Sequence, residues 1–405
     1  MLLVIAAAVV VAMLPGMHTA AHVDSTDRTT GAYTSHSFPL ESVRAIAISL
    51  DRGKVTLDVA GADASSADVE ISVVHSVAST AESSLLALST SVNLDDSTGA
   101  LTITVVWNGG VEDAFAAPSA EVLLEIPRSL STETLSVEVK IGNVDTGFGQ
   151  QSSGDQALSI PWRGFASPVG DIVWKGDDST RFGRVSLATI EGSITVTDLR
   201  AVDVSAASDH GASISLKRVS AHILTVVSGV AAIDAEVTVT GQDDWPAAGR
   251  IHGIQWVAPR STNAGGWLSL LTSSASYVRL SLGSDMGGQS GRSGAAALEV
   301  DCGSRSGATC ILEVPTSSRS TTNLCGSVVA KSESTDGGGT AATPLLFPDA
   351  GSNAVAVLSV QDASSAGLSA HRTATLELQC SGAQTDGWIR GSVITRAATV
   401  HLRPA

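Results

Sequence analysis

Ile194-Thr-Val196-Thr-Asp198-Leu199-Arg200-Ala201-Val202-Asp203-Val204 and, twenty residues on, Ile214-Ser-Leu216-Lys-Arg218-Val219-Ser-Ala221-His-Ile-Leu224 carry one pattern twice. Apolar residues alternate, skip two positions, and end on a small residue. Val185-Ser-Leu187-Ala-Thr-Ile190-Glu-Gly192 reads as a further copy of the same pattern. Alternation with a period of two is the mark of a half-buried strand, and a repeat of about twenty residues is the length of one coil of a stacked β architecture. In such a stack the apolar residues form columns, and each backbone donor and acceptor is satisfied by the coil above or below. Glycine or alanine at the turn permits a tight corner.

Outward from this segment the alternation continues. It is present in Ile46-Ala-Ile48-Ser-Leu50, Val55-Thr-Leu57-Asp-Val59, Val69-Glu-Ile71-Ser-Val73, Leu101-Thr-Ile103-Thr-Val105, Val122-Leu-Leu124-Glu-Ile126-Pro127 and Leu135-Ser-Val137-Glu-Val139-Lys-Ile141. Clusters of Asp, Gly and Ser separate these runs, as turns require. Only Ala81–Ser91 reads as a short helix. After Gly241 the pattern loosens, resumes at Tyr277–Leu282 and stops at a Gly/Ser-rich stretch, 283–296, which reads as a linker. Residues 297–405 read as a second, smaller β domain. The expected fold class is therefore all-β, a β-solenoid or β-helix-like stacked repeat over 45–282, preceded by a linker at 22–44.

The composition fits thin β layers. The chain of 405 residues is 43% hydrophobic but only 4% aromatic, so Val, Ile, Leu and Ala must fill its interior. A formal charge of −16 repels phosphate backbones and anionic lipid, which excludes nucleic acid as the expected partner. From Leu2 to Leu14 the chain is apolar, Pro15-Gly16 breaks it, and Thr19-Ala20-Ala21 offers a cleavage site, so 1–21 reads as a signal peptide without a basic n-region. A secreted or cell-surface location is expected, with no membrane span in the mature chain. The four cysteines, Cys302, Cys310, Cys325 and Cys380, all fall in the last quarter, an even number suited to an oxidising compartment. Their three possible pairings are open, although Cys302 and Cys310 flank a Gly/Ser turn and could meet across a hairpin.

Three further stretches resemble one family. The strand Val122 to Pro127 followed by Arg128-Ser-Leu130, the run Leu135 through Gly147 with its Ile-Gly-Asn-Val-Asp-Thr-Gly turn, and Gly-Ser-Ile-Thr-Val from Gly192 are similar to the adhesin-like β-solenoids, a family described as a domain of unknown function. The segment around Arg52-Gly-Lys-Val55 resembles that family's opening hairpin, and the likeness spans Ala45 to Gly241. It implies a stacked β fold and a binding or structural role, and supplies no catalytic residues.

The search for chemistry returns little. No nucleophile elbow, zinc helix, C-x-x-C pair, P-loop, dinucleotide fingerprint or EF-hand loop occurs, so neither catalytic, cofactor-binding nor metal residues are expected. Asp209-His210 is the nearest approach to an orienting pair, but a polar turn before Gly211 explains it more simply. The acidic doublets Asp95-Asp96, Asp177-Asp178 and Asp243-Asp244 suit solvated turns better than calcium ligands. Trp162, Trp174, Trp245, Trp267 and Trp388 lie within two residues of a glycine or proline, where a ring can stack on a sugar, or can cover a core poor in other aromatics. The reading is a secreted adhesin-like binding or structural protein, not an enzyme, with a glycan or surface protein as its partner. The alternatives are a polysaccharide hydrolase on a β-helix and an intracellular β-repeat scaffold.

Overall fold

The computed structural model describes residues 28–59, 68–78, 88–108, 119–128, 135–142, 170–177, 179–211, 213–240, 250–251, 254–255, 266–282, 296–301, 309–314, 325–333, 343–345, 356–358, 372–380, 388–395 and 399–404. These residues are all β apart from one 3-10 turn, Leu40–Ser42. The first seven strands are β1 (Arg28–Pro39), β2 (Ala45–Leu50), β3 (Gly53–Val59), β4 (Asp68–Ala78), β5 (Leu88–Asp95), β6 (Ala100–Trp107) and β7 (Ser119–Ile126). Then come β8 (Ser136–Ile141), β9 (Gly170–Lys175), β10 (Arg181–Thr189), β11 (Ile194–Ser208), β12 (Ser213–Ser228), β13 (Ala232–Val239), the two-residue strands β14 (Arg250–Ile251) and β15 (Ile254–Gln255), β16 (Trp267–Thr272) and β17 (Tyr277–Leu282). The chain closes with β18 (Ala296–Asp301), β19 (Thr309–Val314), β20 (Cys325–Glu333), β21 (Thr343–Leu345), β22 (Ala356–Leu358), β23 (Arg372–Cys380), β24 (Trp388–Thr395) and β25 (Thr399–Pro404).

Pairing arranges these strands in two parallel ladders. The first runs β6, β2, β8, β10, the second half of β11, the second half of β12, β16, β18, β24. The second runs β7, β3, β9, the first half of β11, the first half of β12, β13, β17, β19, β25. Each pass of the chain gives one strand to each ladder. The repeat predicts the register: Ile194 lies opposite Ile214, and Val204 opposite Leu224. The Val185 copy, however, is out of phase. Val185 stacks on Val204 and Leu187 on Ala206, so its strand belongs to the first ladder while Ile194 opens in the second. Alternation alone cannot separate the two ladders, because both present the same inward pattern.

Columns of branched aliphatics fill the space between the ladders. Leu101, Ile46, Val137, Val185, Val204, Leu224 and Leu268 succeed one another through the first, and Val122, Val55, Ile172, Ile194, Ile214, Ile233 and Val278 through the second. All are buried and belong to one core. Each such side chain contributes roughly 1.5–3 kcal/mol relative to exposure. The two-residue skip of the motif is the corner. Asp198 and Arg218 adopt φ of 56° and 53°, which absorbs the extra residue, so Ile194, Val196, Leu199 and Ala201 all point inward.

Antiparallel strands close the ends. At one end β5 pairs with β6, and β4 with β7, while β1 adds outside β4. At the other, β23 pairs with β24, β20 with β23, and β22 with β25. Such closure covers the open ends of the two parallel ladders and leaves the antiparallel strands β1 and β5 outermost at the first end. His75, buried in β4, ties the two ladders at the first end through Nε2 to Thr90 Oγ1 of β5 at 2.7 Å. Desolvation holds its imidazole below the usual histidine range. A lowered folded value stabilises the fold above the unfolded value and loses that contribution as pH falls through the folded one. Hydrogen-exchange protection of β4 and β5 should therefore drop between pH 7 and pH 5 in the parent and hold steady in His75→Asn.

Several expectations change here. Residues 22–44, expected as a linker, contain β1. The last four residues of the expected helix belong to strand β5, because Leu88, Val92 and Leu94 pack on the core at a period of two, and 81–87 lie outside the described residues. Strand pairing does not stop at 283–296: β18 follows β16, and β19 follows β17, in parallel register, so the strands after residue 297 share one sheet with those before it. The signal segment 1–21 is outside the described residues.

Candidate functional site

The corner leading from the second ladder to the first concentrates charge. In a chain of net −16 it brings together Arg128, Lys175, Arg181, Arg184, Arg200, Lys217 and Arg218 with Asp58, Glu125, Asp177, Asp198, Asp203 and Glu236 among the described residues, so that Lys175 stands opposite Asp58 of β3. Stacking explains the geometry. Asp198 and Arg218 occupy the same corner slot in successive coils, and the guanidinium grips the carboxylate with two bonds, Nε to Oδ1 at 2.5 Å and Nη2 to Oδ2 at 2.6 Å. One coil earlier the slot is Gly176, where an added Cβ would lie 1.8 Å from the Asp198 carbonyl oxygen. Beside it Arg128 Nε meets Asp177 Oδ2 at 2.7 Å, and Asp177 also accepts the Ser179 amide and hydroxyl, both at 2.7 Å.

Two carboxylates at this corner are driven apart. Asp198 is held below the usual carboxylate range, first by the Arg218 hydrogen bonds and then by that residue's charge. Asp203 is pushed up, because desolvation outweighs Arg184, whose Nε approaches only to 3.5 Å. About a quarter of the Asp203 side chain, 24%, still meets solvent, so the enclosure is by close neighbours rather than by deep burial. The Asp198–Arg218 pair is more open, with 58% of the arginine side chain exposed. Arg218→Ala should therefore cost no more than about 1 kcal/mol, with a coupling of about 0.5 kcal/mol to Asp198→Ala in a double-mutant cycle read by urea unfolding.

The residues singled out in the sequence scatter. Asp209 and His210 do meet, Oδ2 to Nδ1 at 3.0 Å, but on the opposite corner, where the His210 amide donates to the Ile190 carbonyl and half of the ring is exposed. Asp95 caps a turn by accepting Ser97 and Thr98, and the Ser97 hydroxyl leads in lowering its acidity range. Asp177 belongs to the charged corner, while Asp178, Asp243 and Asp244 lie outside the described residues. No group of three or more His, Cys, Asp or Glu that could hold a metal ion occurs among the described residues. Among them no helix is long and apolar enough to cross a membrane.

Of the two readings open for the tryptophans, Trp174 takes the core one. It is fully buried in the second ladder and packs edge-to-face on Phe182, with centroids 5.0 Å apart. Trp267 is half-buried, and Trp162 and Trp245 are outside the described residues. Of the cysteines, Cys310 is buried on β19 and Cys325 stands opposite Cys380, while Cys302 lies outside the described residues. The hairpin expected between Cys302 and Cys310 does not form, since β18 and β19 run in different ladders. The charged corner itself escaped the sequence reading, although the signal was there: opposite charges at 198 and 218, in the skipped slot of a twenty-residue repeat.

The chain matches no family model, no curated protein and no solved structure.

Proposed function

We propose that this chain is a secreted or cell-surface adhesin-like β-solenoid, a binding protein that engages acidic polysaccharide at the corner bearing Lys175 and Lys217. The observation that carries the reading is the recurrence of one register through both ladders, Ile194 on Ile214 and Val204 on Leu224, which makes the molecule a rigid stack of similar coils. A stack closed at both ends offers its faces and corners to partners. Of these, the corner bearing Lys175 and Lys217, both exposed, holds more basic than acidic side chains in an otherwise acidic chain, although Asp58 stands beside Lys175. Export is supported by the apolar run Leu2–Leu14 before Pro15-Gly16 and by the even cysteine count. Positioned cations suit carboxylated or sulfated sugars, and the stiff backbone spends little entropy on ordering.

The test has two parts. Intact mass of the protein from the host's medium and cell fraction, with and without reduction, should show an extracellular chain shortened near Ala21. Immobilised polyuronate should retain the full chain at low salt, neutral glucan should not, and Lys175→Glu with Lys217→Glu should lose at least tenfold in affinity. Retention by neutral glucan alone, or equal affinity of the double variant, overturns the assigned surface. A full-length chain confined to the cell overturns export.

A further inference from the structure

Register narrows the pairing of the four cysteines. Cys325 on β20 and Cys380 on β23 are direct partners across an antiparallel ladder. Such partners have Cα atoms about 4.5–5.5 Å apart, inside the roughly 4.4–6.8 Å that a disulfide spans. Cys310 is buried in an inward column of the second ladder, between Val278 and Val400, and is held in a disulfide. Its neighbours along the column are valines, so its partner is not on the adjacent strands at that level. With Cys325 facing Cys380, the cysteine left for Cys310 is Cys302, which directly follows β18 in sequence.

We infer that the chain carries two disulfides, Cys325–Cys380, which fastens the closing strands, and, by elimination, Cys302–Cys310. Each forms by exchange with a small-molecule disulfide. One cysteine thiolate attacks it and releases a thiol, and the second thiolate displaces the other. Two cysteine thiols thus lose two protons and two electrons, and the oxidant becomes two thiols. The inference adds to the exported reading, which supplies an oxidising compartment, but the register decides the partners.

Reduced full-length chain is reoxidised in glutathione buffer, its residual thiols are alkylated, and tryptic peptides are identified by mass without reduction. Cleavage after Arg292, Arg305, Arg319, Lys331, Arg372 and Arg390 places each cysteine on its own peptide. The expected linked peptides are 293–305 with 306–319, and 320–331 with 373–390. The double variant Cys325→Ser, Cys380→Ser should keep the other bond and show no free thiol. Any link between the two pairs, four alkylated cysteines, or two free thiols in the double variant overturns the assignment. Because oxidation is done in the test tube, the result is independent of where the protein resides.

Discussion

Gly192→Ala should lower stability by about 3 kcal/mol, read as a fall in the urea midpoint at unchanged slope. The reason is a column of backbone contacts at the corner from the first ladder to the second. A Cβ on Gly192 would sit 1.9 Å from the Gly170 carbonyl oxygen, and a Cβ on Gly211 would meet the Gly192 carbonyl at the same distance. The obstacle is backbone rather than a side-chain tip that can swing away. Nor can the coils spread, because β9 and β11 are hydrogen-bonded to each other just past the corner, and the strand spacing is fixed near 4.8 Å. Glu191→Ala, next to it and partly exposed, should stay within about 0.5 kcal/mol of the parent. A Gly192→Ala protein as stable as the parent would show that the corner can open.

Trp174→Ala should cost about 3–5 kcal/mol. The indole fills its column between Leu57 and Val196, where its neighbours are smaller, and its edge-on contact with Phe182 adds to the area buried. Hydrogen-bonded strands on both sides cannot collapse into the gap, so most of the cavity would persist. Trp174→Phe should cost far less. The indole N–H meets no hydrogen-bond partner among the described residues, and phenylalanine removes a buried donor along with the lost volume. Thermal unfolding followed by circular dichroism separates the cases: the alanine variant should melt several degrees below the phenylalanine variant. Equal melting temperatures would mean that the ring is not the keystone of its column.

Much of this was open to reading from the residues. Alternation marked the strands, and the twenty-residue step between Ile194 and Ile214 supplied the register of β11 on β12, but the turn expected at the small residues Ala201 and Ala221 falls at the two-residue skip, at Asp198 and Arg218. What failed did so for identifiable reasons. The Val185 copy was aligned with Ile194 because strands of both ladders bury the same kinds of side chain at the same period. Leu88–Ser91 read as helical because a strand whose outer side is polar and whose inner side is only half-buried carries weak alternation. Trp174 admitted both a loop and a core reading because Gly176 two residues on suggested a turn, and that glycine does stand at a corner, with the ring on the inner side of it.

The sequence by itself determined that the chain is all β, that its core is aliphatic, and where its central coils repeat, since these follow from side-chain period and size. Only the tertiary structure decided the order of the coils. In space β2 and β3 lie between β6 and β7 on one side and β8 and β9 on the other, so the first coil in sequence is the second in the stack. Only the structure showed that β18 and β19 extend the ladders beyond residue 283, and that Asp198 meets Arg218. Hydrogen bonds between strands are made by backbone that every residue shares. Alternation thus fixes which way each strand faces but leaves its neighbour to be chosen by the packing of the whole.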